Sequence, residues 1–185
     1  RGGSAAFLHA EEANDVRLVQ TVAVKPNTVY RFSGWVAVRD VPEIVMLWGE
    51  LARHHAHLDT AFALSARWQE EYRYFVRSLL GRDDALAVVA VRAGHLIGYA
   101  VGRLTILPGF FEERRRGYIH DVVTHDAYRR RGVGRRLVQA LLDWMAAAGV
   151  GTVELTVAVQ NDDARAFWER MGFVPYMVHY KRVLR

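Results

Sequence analysis

Six consecutive residues, Arg-Arg-Arg-Gly-Val-Gly at positions 129–134, combine positive charge with glycine. They overlap the start of residues 133–148, whose apolar side chains recur at helical spacing and predict a helix. Glycine lets the backbone approach a ligand closely, and the first turn of a helix presents amide groups that have no intrahelical partner. The segment therefore predicts a pyrophosphate site, with a helix start that merely carries solvated arginines as the alternative interpretation.

A second segment, residues 161–173, has a distinctive order of residue types. Asn161 opens a short predicted helix, Gly172 ends it, and Phe173 begins another extended segment. This motif follows the arginine and glycine segment after one predicted helix and one predicted strand.

The elements predicted after Asp40 alternate between helices and strands, which indicates one mixed sheet flanked by helices, of the α/β (α+β) class. Helical spacing predicts a first helix from Asp40 through His55 and further helices over residues 65–80, 133–148 and 162–171. Strand-like patterns cover residues 85–91, 96–107, 118–124, 152–159 and 173–184.

The first 35 residues differ from the rest, so we expect an N-terminal β-strand extension (1–35) joined to a main domain (36–185). Strand-like segments at residues 6–9, 16–24 and 29–38 indicate a small meander, with a tight reversal from Lys25 to Thr28. Residues 16–36 resemble part of a β-sandwich carbohydrate-binding module. About thirty residues cannot close such a sandwich, so we expect the extension to pack on the main sheet or to form a homodimer.

Composition excludes several classes of site and partner. The 185 residues contain no cysteine, which rules out disulfides, thiolate metal sites and cysteine nucleophiles. No apolar run approaches the roughly 20 residues that cross a bilayer, so we expect a soluble protein without a membrane partner. The chain begins with Arg1 and shows no signal-peptide pattern, from which we expect a fragment or processed product in the cytoplasm.

The net charge of +5 favours an anionic partner. Arginine supplies most of the positive charge in short clusters, whereas nucleic-acid-binding arms usually mix lysine and aromatic residues, so we expect no nucleic acid as the main ligand. His54, His55 and His57 lie around a predicted helix rather than on one face, and we expect no metal there.

The two motifs together resemble the GNAT superfamily of N-acyltransferases. Residues 129–134 are similar to its Arg/Gln-x-x-Gly-x-Gly/Ala segment, residues 118–124 to the strand before it, and residues 161–173 to its later Asn-x-x-Ala…Phe-Tyr…Gly-Phe segment. The resemblance covers residues 36–185 and implies the GNAT fold, with acetyl-CoA as acyl donor and an amine as acceptor.

The resemblance also implies which residues contact acetyl-CoA. Backbone groups of the strand would pair with the pantetheine arm, a backbone N–H at Val122 would stabilise the oxyanion, and amides of the glycine segment would bind the pyrophosphate. Arg129, Arg131 and Arg135 would add charge-assisted contacts. The implied contact residues are Val122, Val123, Thr124, Arg129, Arg130, Arg131, Gly132, Val133, Gly134, Arg135, Asn161, Ala164 and Phe167.

The catalytic groups are less defined. In relatives a carboxylate of the strand often lies near the active centre, and the matching residues here are His120 and Asp121, which regular alternation would turn to opposite faces. We prefer His120 as the base because its ordinary pKa lies near neutrality, with a structural role as the alternative. Trp168 replaces the tyrosine that often serves as the acid and is expected to be a packing residue, so Tyr176 or water would donate the proton.

The connection between the first two helices would form the acceptor pocket, with Leu58, Asp59 and Phe62 as candidate substrate contacts. Three functions follow. The first is an N-acetyltransferase acting by direct attack on a primary amine of a small molecule, peptide or protein. The alternatives are a non-catalytic acyl-CoA-binding regulatory module and an interaction protein that uses its N-terminal strands.

Overall fold

A computed structural model describes residues 19–25, 28–33 and 38–184 of the chain. In the described residues the strands are β1 (Val19–Lys25), β2 (Thr28–Ser33), β3 (Ala85–Arg92), β4 (His95–Ile106), β5 (Arg115–Thr124) and β6 (Thr152–Glu154). The helices are α1 (Val41–Leu58), α2 (Trp68–Leu79), α3 (Val133–Ala147) and α4 (Asp162–Arg170). Short 3₁₀ turns occur at Val38–Asp40, Thr60–Phe62 and Asp126–Tyr128.

The strands form one sheet in the order β1-β2-β3-β4-β5-β6. Neighbours are antiparallel except for β5 and β6, which are parallel. The predicted mixed sheet flanked by helices is therefore confirmed.

Helices cover both faces of the sheet at β3, β4 and β5, because these strands carry buried apolar side chains on both sides. One core joins α1 and α2 to the sheet through side chains such as Ile44, Val76 and Tyr99. The other joins α3 to the opposite face through Leu137, Leu141 and their neighbours, with α4 packed at its edge. All five of these side chains are completely or almost completely buried.

Strand β6 pairs with β5 only over Arg116↔Thr152, Gly117↔Val153 and Tyr118↔Glu154. Strand β5 continues to Thr124 along β4, so its last six residues have no paired strand on the β6 side. The two parallel strands thus separate after a short contact, leaving an opening in the sheet.

Two predicted strands are corrected at this point. The segment 152–159 is regular only to Glu154, because β6 leaves its one neighbour there. Residues 173–184 contain no strand, since no edge of the sheet pairs with them, and their side chains include Tyr180, which is 94% exposed.

The N-terminal strands extend the main sheet. β1 and β2 form an antiparallel pair that ends at Lys25↔Thr28, which confirms the predicted reversal, and β2 adds to β3 through Arg31↔Val91 and its two neighbours. The predicted segment 6–9 lies outside the described residues, and the division at residue 35 stays a prediction.

Gly98 provides a direct test of this packing, because β4, β5 and α3 meet there. A Cβ at this position would lie 2.8 Å from the carbonyl oxygen of Val123 and 3.2 Å from Cδ1 of Leu137. We expect Gly98→Ala to lower the free energy of unfolding by about 1–3 kcal/mol, since a backbone carbonyl cannot move aside easily. Urea unfolding measures the change.

The control is Gly109→Ala, where the nearest atom to an added Cβ is Cζ of Arg114 at 4.0 Å. It should change stability by no more than about 0.5 kcal/mol. Equal stability of the Gly98 and Gly109 variants would contradict the close packing of β4 against β5 and α3.

Candidate active site

The loop before α3 has the geometry of an anion site. Gly132, the N-cap residue, has a φ of 80°, and Arg130 has a φ of 58°, so the chain turns twice through the left-handed region. The first i→i−4 hydrogen bond runs from the amide of Arg136 to the carbonyl of Gly132, at 3.2 Å. The amides just before Arg136 therefore have no intrahelical partner and lie at the positive end of the α3 dipole.

The neighbouring arginines are held loosely. Arg129 lies 2.8 Å from Asp126, and Arg130 lies 3.3 Å from Asp163, in pairs whose side chains are all at least 60% exposed. Exposed ion pairs of this kind contribute little stability, so a phosphate can compete for the guanidinium groups. Arg135 is also exposed.

The ring of Tyr128 contacts two arginine side chains beside this loop. The guanidinium carbons of Arg131 and Arg92 lie 5.7 and 5.6 Å from the centre of its ring. Arg92 ends β3 and was not among the residues expected at the site. No local sequence motif indicates Arg92, because Arg92 is distant from the loop in the sequence and lies beside it only through the pairing of the strands.

The space beside Gly134, which we call the cradle, lies at the start of α3 between Thr124 of β5 and Phe167 of α4. At Gly134 an added Cβ would lie 3.5 Å from Oγ1 of Thr124 and 3.6 Å from Cζ of Phe167. Glycine thus leaves space between β5, α3 and α4. Val122, Val123 and Thr124 form the β5 side of the opening, and their backbone lies beyond the segment paired with β6.

Helix α4 supplies the other side. Asn161 caps it, since its Oδ1 accepts a hydrogen bond from the amide of Ala164 at 3.1 Å. Trp168 packs edge-on against Phe167 and Phe173, with ring centres 5.0 and 5.2 Å apart. These contacts agree with the packing role expected for Trp168.

The expected alternation of His120 and Asp121 is wrong. Val101 pairs with Asp121 and Gly102 pairs with Ile119, so His120 is an extra residue in β5, which forms a β-bulge. The bulge resets the alternation, and both His120 and Asp121 line the same cleft beneath α1 and α2. The pair is therefore available together on one face.

Asp121 belongs to a polar network inside an aromatic environment. The Tyr72 hydroxyl donates to Oδ2 of Asp121 at 2.8 Å and lies 3.1 Å from the Tyr99 hydroxyl. Burial raises the pKa of Asp121, against the opposing effect of hydrogen bonds from Tyr72 and Trp48. Burial, together with the charge of Asp121, raises the pKa of both tyrosines, which stay protonated. Nothing in the sequence near Tyr72 or Tyr99 indicates this network.

His120 lies beside these groups but in a different environment. Its ring contacts Tyr118 and Phe75 edge-on, with centres 4.9 and 6.1 Å apart. Partial burial lowers the pKa of His120, and the charge of Arg103 lowers it further. A neutral imidazole at neutral pH can accept a proton.

The cleft next to His120 and Asp121 has a volume of about 600 Å³ and lies between α1 and α2. Phe62 lines it, as expected. Leu58 and Asp59 do not, because Leu58 ends α1 and Asp59 is turned to its own loop, where it accepts from the Ala61 amide and contacts Lys181. Leu58 and Asp59 are therefore not lining residues of this cleft, and their contact with the acceptor stays a prediction.

Tyr176, the expected proton donor, lies in the irregular C-terminal segment and is 69% exposed. It hydrogen-bonds with Arg116, which also contacts Glu154. The phenol therefore lies beside the paired part of β5 and β6, and its catalytic role stays a prediction.

Two further findings concern the described residues alone. They contain no group of three or more histidine, cysteine, aspartate or glutamate side chains that could hold a metal ion. Their helices include none that is both long enough and apolar enough to cross a membrane.

A family model described as "Acetyltransferase (GNAT) family" matches residues 46–173, which include the cleft, the bulge, the loop and α4. The chain belongs to the GNAT family. Family members take the acetyl group from acetyl-CoA. The match does not reach the N-terminal strands, and the resemblance to a carbohydrate-binding module finds no support.

Relatives of this GNAT domain include N-alpha-acetyltransferase 30 of Schizosaccharomyces pombe, 32% identical over 113 residues that cover 61% of this chain and 71% of that protein. The N-alpha-acetyltransferase RimI of Mycobacterium tuberculosis is 40% identical over 87 residues, 46% of this chain. The chain spans only 50% of the RimI protein.

Among solved structures, a single-site mutant of the BH1408 protein from Bacillus halodurans superimposes with a TM-score of 0.70 at 21% identity. The superposition covers 85% of this chain and 100% of the BH1408 chain. At this identity the likeness shows the GNAT fold alone.

Proposed function

We propose that this GNAT domain transfers an acetyl group from acetyl-CoA to a primary amine of a small molecule, peptide or protein by direct attack. The observation that carries the proposal is the opening between β5 and β6, which connects the amides at the start of α3 with the His120–Asp121 bulge. Relatives named N-alpha-acetyltransferases support an α-amine as acceptor.

The residues present fit acetyl-CoA. The unpaired backbone of β5 can hydrogen-bond an extended arm as it would an added strand, and Gly134 leaves the space for it. The first-turn amides of α3 and the loosely held Arg129 and Arg130 suit a pyrophosphate. Asn161, Ala164 and Phe167 would border the arm from the α4 side. When bound, acetyl-CoA supplies an activated thioester carbonyl.

Direct attack requires a base for the amine and a donor of hydrogen bonds for the carbonyl oxygen. The bulge turns His120 and Asp121 together towards the cleft, and the β5 amide near Val122 lies next to them in the chain. The lowered pKa of His120 keeps it able to accept a proton, whereas Asp121 is already engaged by Tyr72. We therefore assign the base to His120.

The leaving thiolate needs a proton. Trp168 has only an indole N–H and packs against two phenylalanine rings, so it does not supply one. Tyr176 and water are the candidate donors. Because Trp168 stands where the family often has a tyrosine, a non-catalytic acyl-CoA-binding module is the second candidate function. Release of free thiol together with an acetylated product from a panel of amines would exclude it. Location in the cytoplasm and formation of a homodimer stay predictions.

Gly134→Glu tests the donor site. The new side chain would fill the cradle beside Thr124 and Phe167 and bring a negative charge to the phosphate site. We expect calorimetry to show about micromolar CoA affinity for the parent chain and a loss of more than about tenfold in the variant.

Gly109→Glu makes the same change of charge in the loop between β4 and β5, outside the loop before α3, and should bind CoA like the parent chain. Unchanged affinity in a folded Gly134→Glu protein would refute the donor site.

His120→Ala tests the base. The rate at subsaturating amine should rise with pH as His120 loses its proton, and its lowered pKa puts that rise below the ordinary value of 6.5. The variant should lose this rise and about 10²–10⁴-fold in kcat/KM, with CoA affinity unchanged. The assay should use an acceptor amine of low pKa, so that deprotonation of the amine itself does not produce a similar rise in rate with pH.

Asp121→Asn is the matched comparison, because Asp121 lines the same cleft and its amide replacement can still accept from Tyr72. It should keep the pH limb. If Asp121→Asn loses the limb and His120→Ala retains it, Asp121 is the base and our assignment is reversed.

A further inference from the structure

Two grooves of different chemistry meet at His120. The first, which we call the aromatic cleft, lies between α1 and α2 and ends at His120 and Asp121. The second, which we call the arginine groove, has a volume of about 470 Å³ and runs along β4 and β5 from His120 to Arg103 and the residues after it. An acceptor whose amine lies at His120 can therefore extend in two directions.

The aromatic cleft suits a flat apolar group. Its lining includes five aromatic side chains, namely Trp48, Phe62, Trp68, Tyr72 and Phe75. The rings of Trp48 and Tyr72 are stacked at 4.0 Å, and those of Trp48 and Trp68 lie 5.8 Å apart, so these walls are mutually supported. Burial of an aromatic side chain against them is favourable, and such rings gain further from tilted or stacked contacts.

The aromatic cleft offers little to a polycation. Its two lining carboxylates are Glu71 and Asp121. Glu71 accepts from the Ser65 hydroxyl at 3.1 Å, and Asp121 accepts from Tyr72. A polyamine or aminoglycoside would bring several ammonium groups to this mainly apolar surface, and those beyond the two carboxylates would lose hydration without a partner.

The arginine groove carries a positive charge that is only partly neutralised. The terminal nitrogen of Arg103 lies 3.5 Å from Asp84, which is bound more closely by Arg82 at 2.6 Å. The Nε atom of Arg103 is buried and has no hydrogen-bond partner among the described residues. The Arg103 side chain is 34% exposed, so its guanidinium can reach an anion in the groove.

We propose that the acceptor is a free α-amino acid with an aromatic side chain, an inference that rests on the function proposed above. Its amine lies at His120, its side chain in the aromatic cleft and its carboxylate at Arg103. In an amino acid these three groups are bonded to one carbon atom, and in the structure the two grooves share His120 as a lining residue.

The reaction balances with the groups named. The neutral amine nitrogen forms a bond to the acetyl carbonyl carbon, and the carbon–sulfur bond breaks with its electron pair on sulfur. The proton lost by the amine goes to His120, and the thiolate takes a proton from Tyr176 or from water. The products are the N-acetyl amino acid and free CoA.

The test compares L-phenylalanine with L-phenylalaninamide, phenethylamine, a dipeptide with N-terminal phenylalanine, L-alanine and spermidine, with product identified by mass spectrometry. With kcat/KM calculated for the neutral form of each amine, we expect L-phenylalanine to exceed the amide, the amine and the dipeptide by roughly 10–100-fold, as one charge-assisted contact allows. L-alanine and spermidine should be poorer still.

Arg103→Gln should reduce the ratio of L-phenylalanine to L-phenylalaninamide to about one, and Arg103→Lys should restore part of it. Arg77→Gln is the matched control, because Arg77 is an exposed arginine that lines neither groove and is not paired with Asp84. It should keep the parent ratio. Comparing one ratio between proteins cancels the different pKa values of the two acceptor amines.

Phe62→Ala probes the aromatic cleft separately, since this side chain is 54% exposed and can be truncated without opening the core. It should reduce the preference for L-phenylalanine over L-alanine. The inference is overturned if the neutral form of the amide, dipeptide, phenethylamine or spermidine reacts as well as that of L-phenylalanine, or if Arg103→Gln leaves the ratio unchanged. Absence of turnover with every amine would instead reject the function on which the inference rests.

Discussion

The local separation of β5 from β6 is the constraint on which the rest of the site depends. Backbone amides and carbonyls need hydrogen-bond partners, and a strand edge without them is open to an added strand. Here the parallel pairing stops at Tyr118, while β5 remains anchored to β4 as far as Thr124. Within the sheet, β5 is therefore paired with β4 on one side, while on its other side residues 119–124 have no paired strand.

Two features of close packing bring the remaining groups to that edge. Gly98 lets α3 and β5 approach β4, which puts the start of α3 beside Thr124. The β-bulge at His120 turns two consecutive polar side chains to the face covered by α1 and α2. Acetyl-CoA and the acceptor amine can thus approach one short stretch of β5 from different sides.

Burial shifts the pKa values of the two titratable groups at the bulge in opposite directions. Asp121 lies among tyrosines, and burial raises its pKa, whereas partial burial and the nearby Arg103 lower the pKa of His120. The two shifts bring the groups' proton affinities closer together, and hydrogen bonding distinguishes them. Asp121 is held by Tyr72, while His120 contacts rings and faces both grooves.

The sequence predicted the elements whose signals are local. The glycines before α3 and the asparagine at the start of α4 lie where the structure begins those helices. The bulge could not be predicted, because it depends on how β4 and β5 align rather than on a residue type. The strand expected over 173–184 was wrong because an apolar pattern forms a strand only beside an available edge. Phe62 lines the cleft, but Leu58 and Asp59 do not, since position in a loop does not fix where side chains point.

Hydrogen exchange of the backbone amides, with and without saturating CoA, tests the central claim most directly. If the edge of β5 and the start of α3 receive the donor, amides within residues 119–124 and 132–135 should become protected while the β3–β4 pairing changes little. Unchanged exchange in both segments, under conditions where CoA is shown to bind, would place the donor elsewhere and contradict this account.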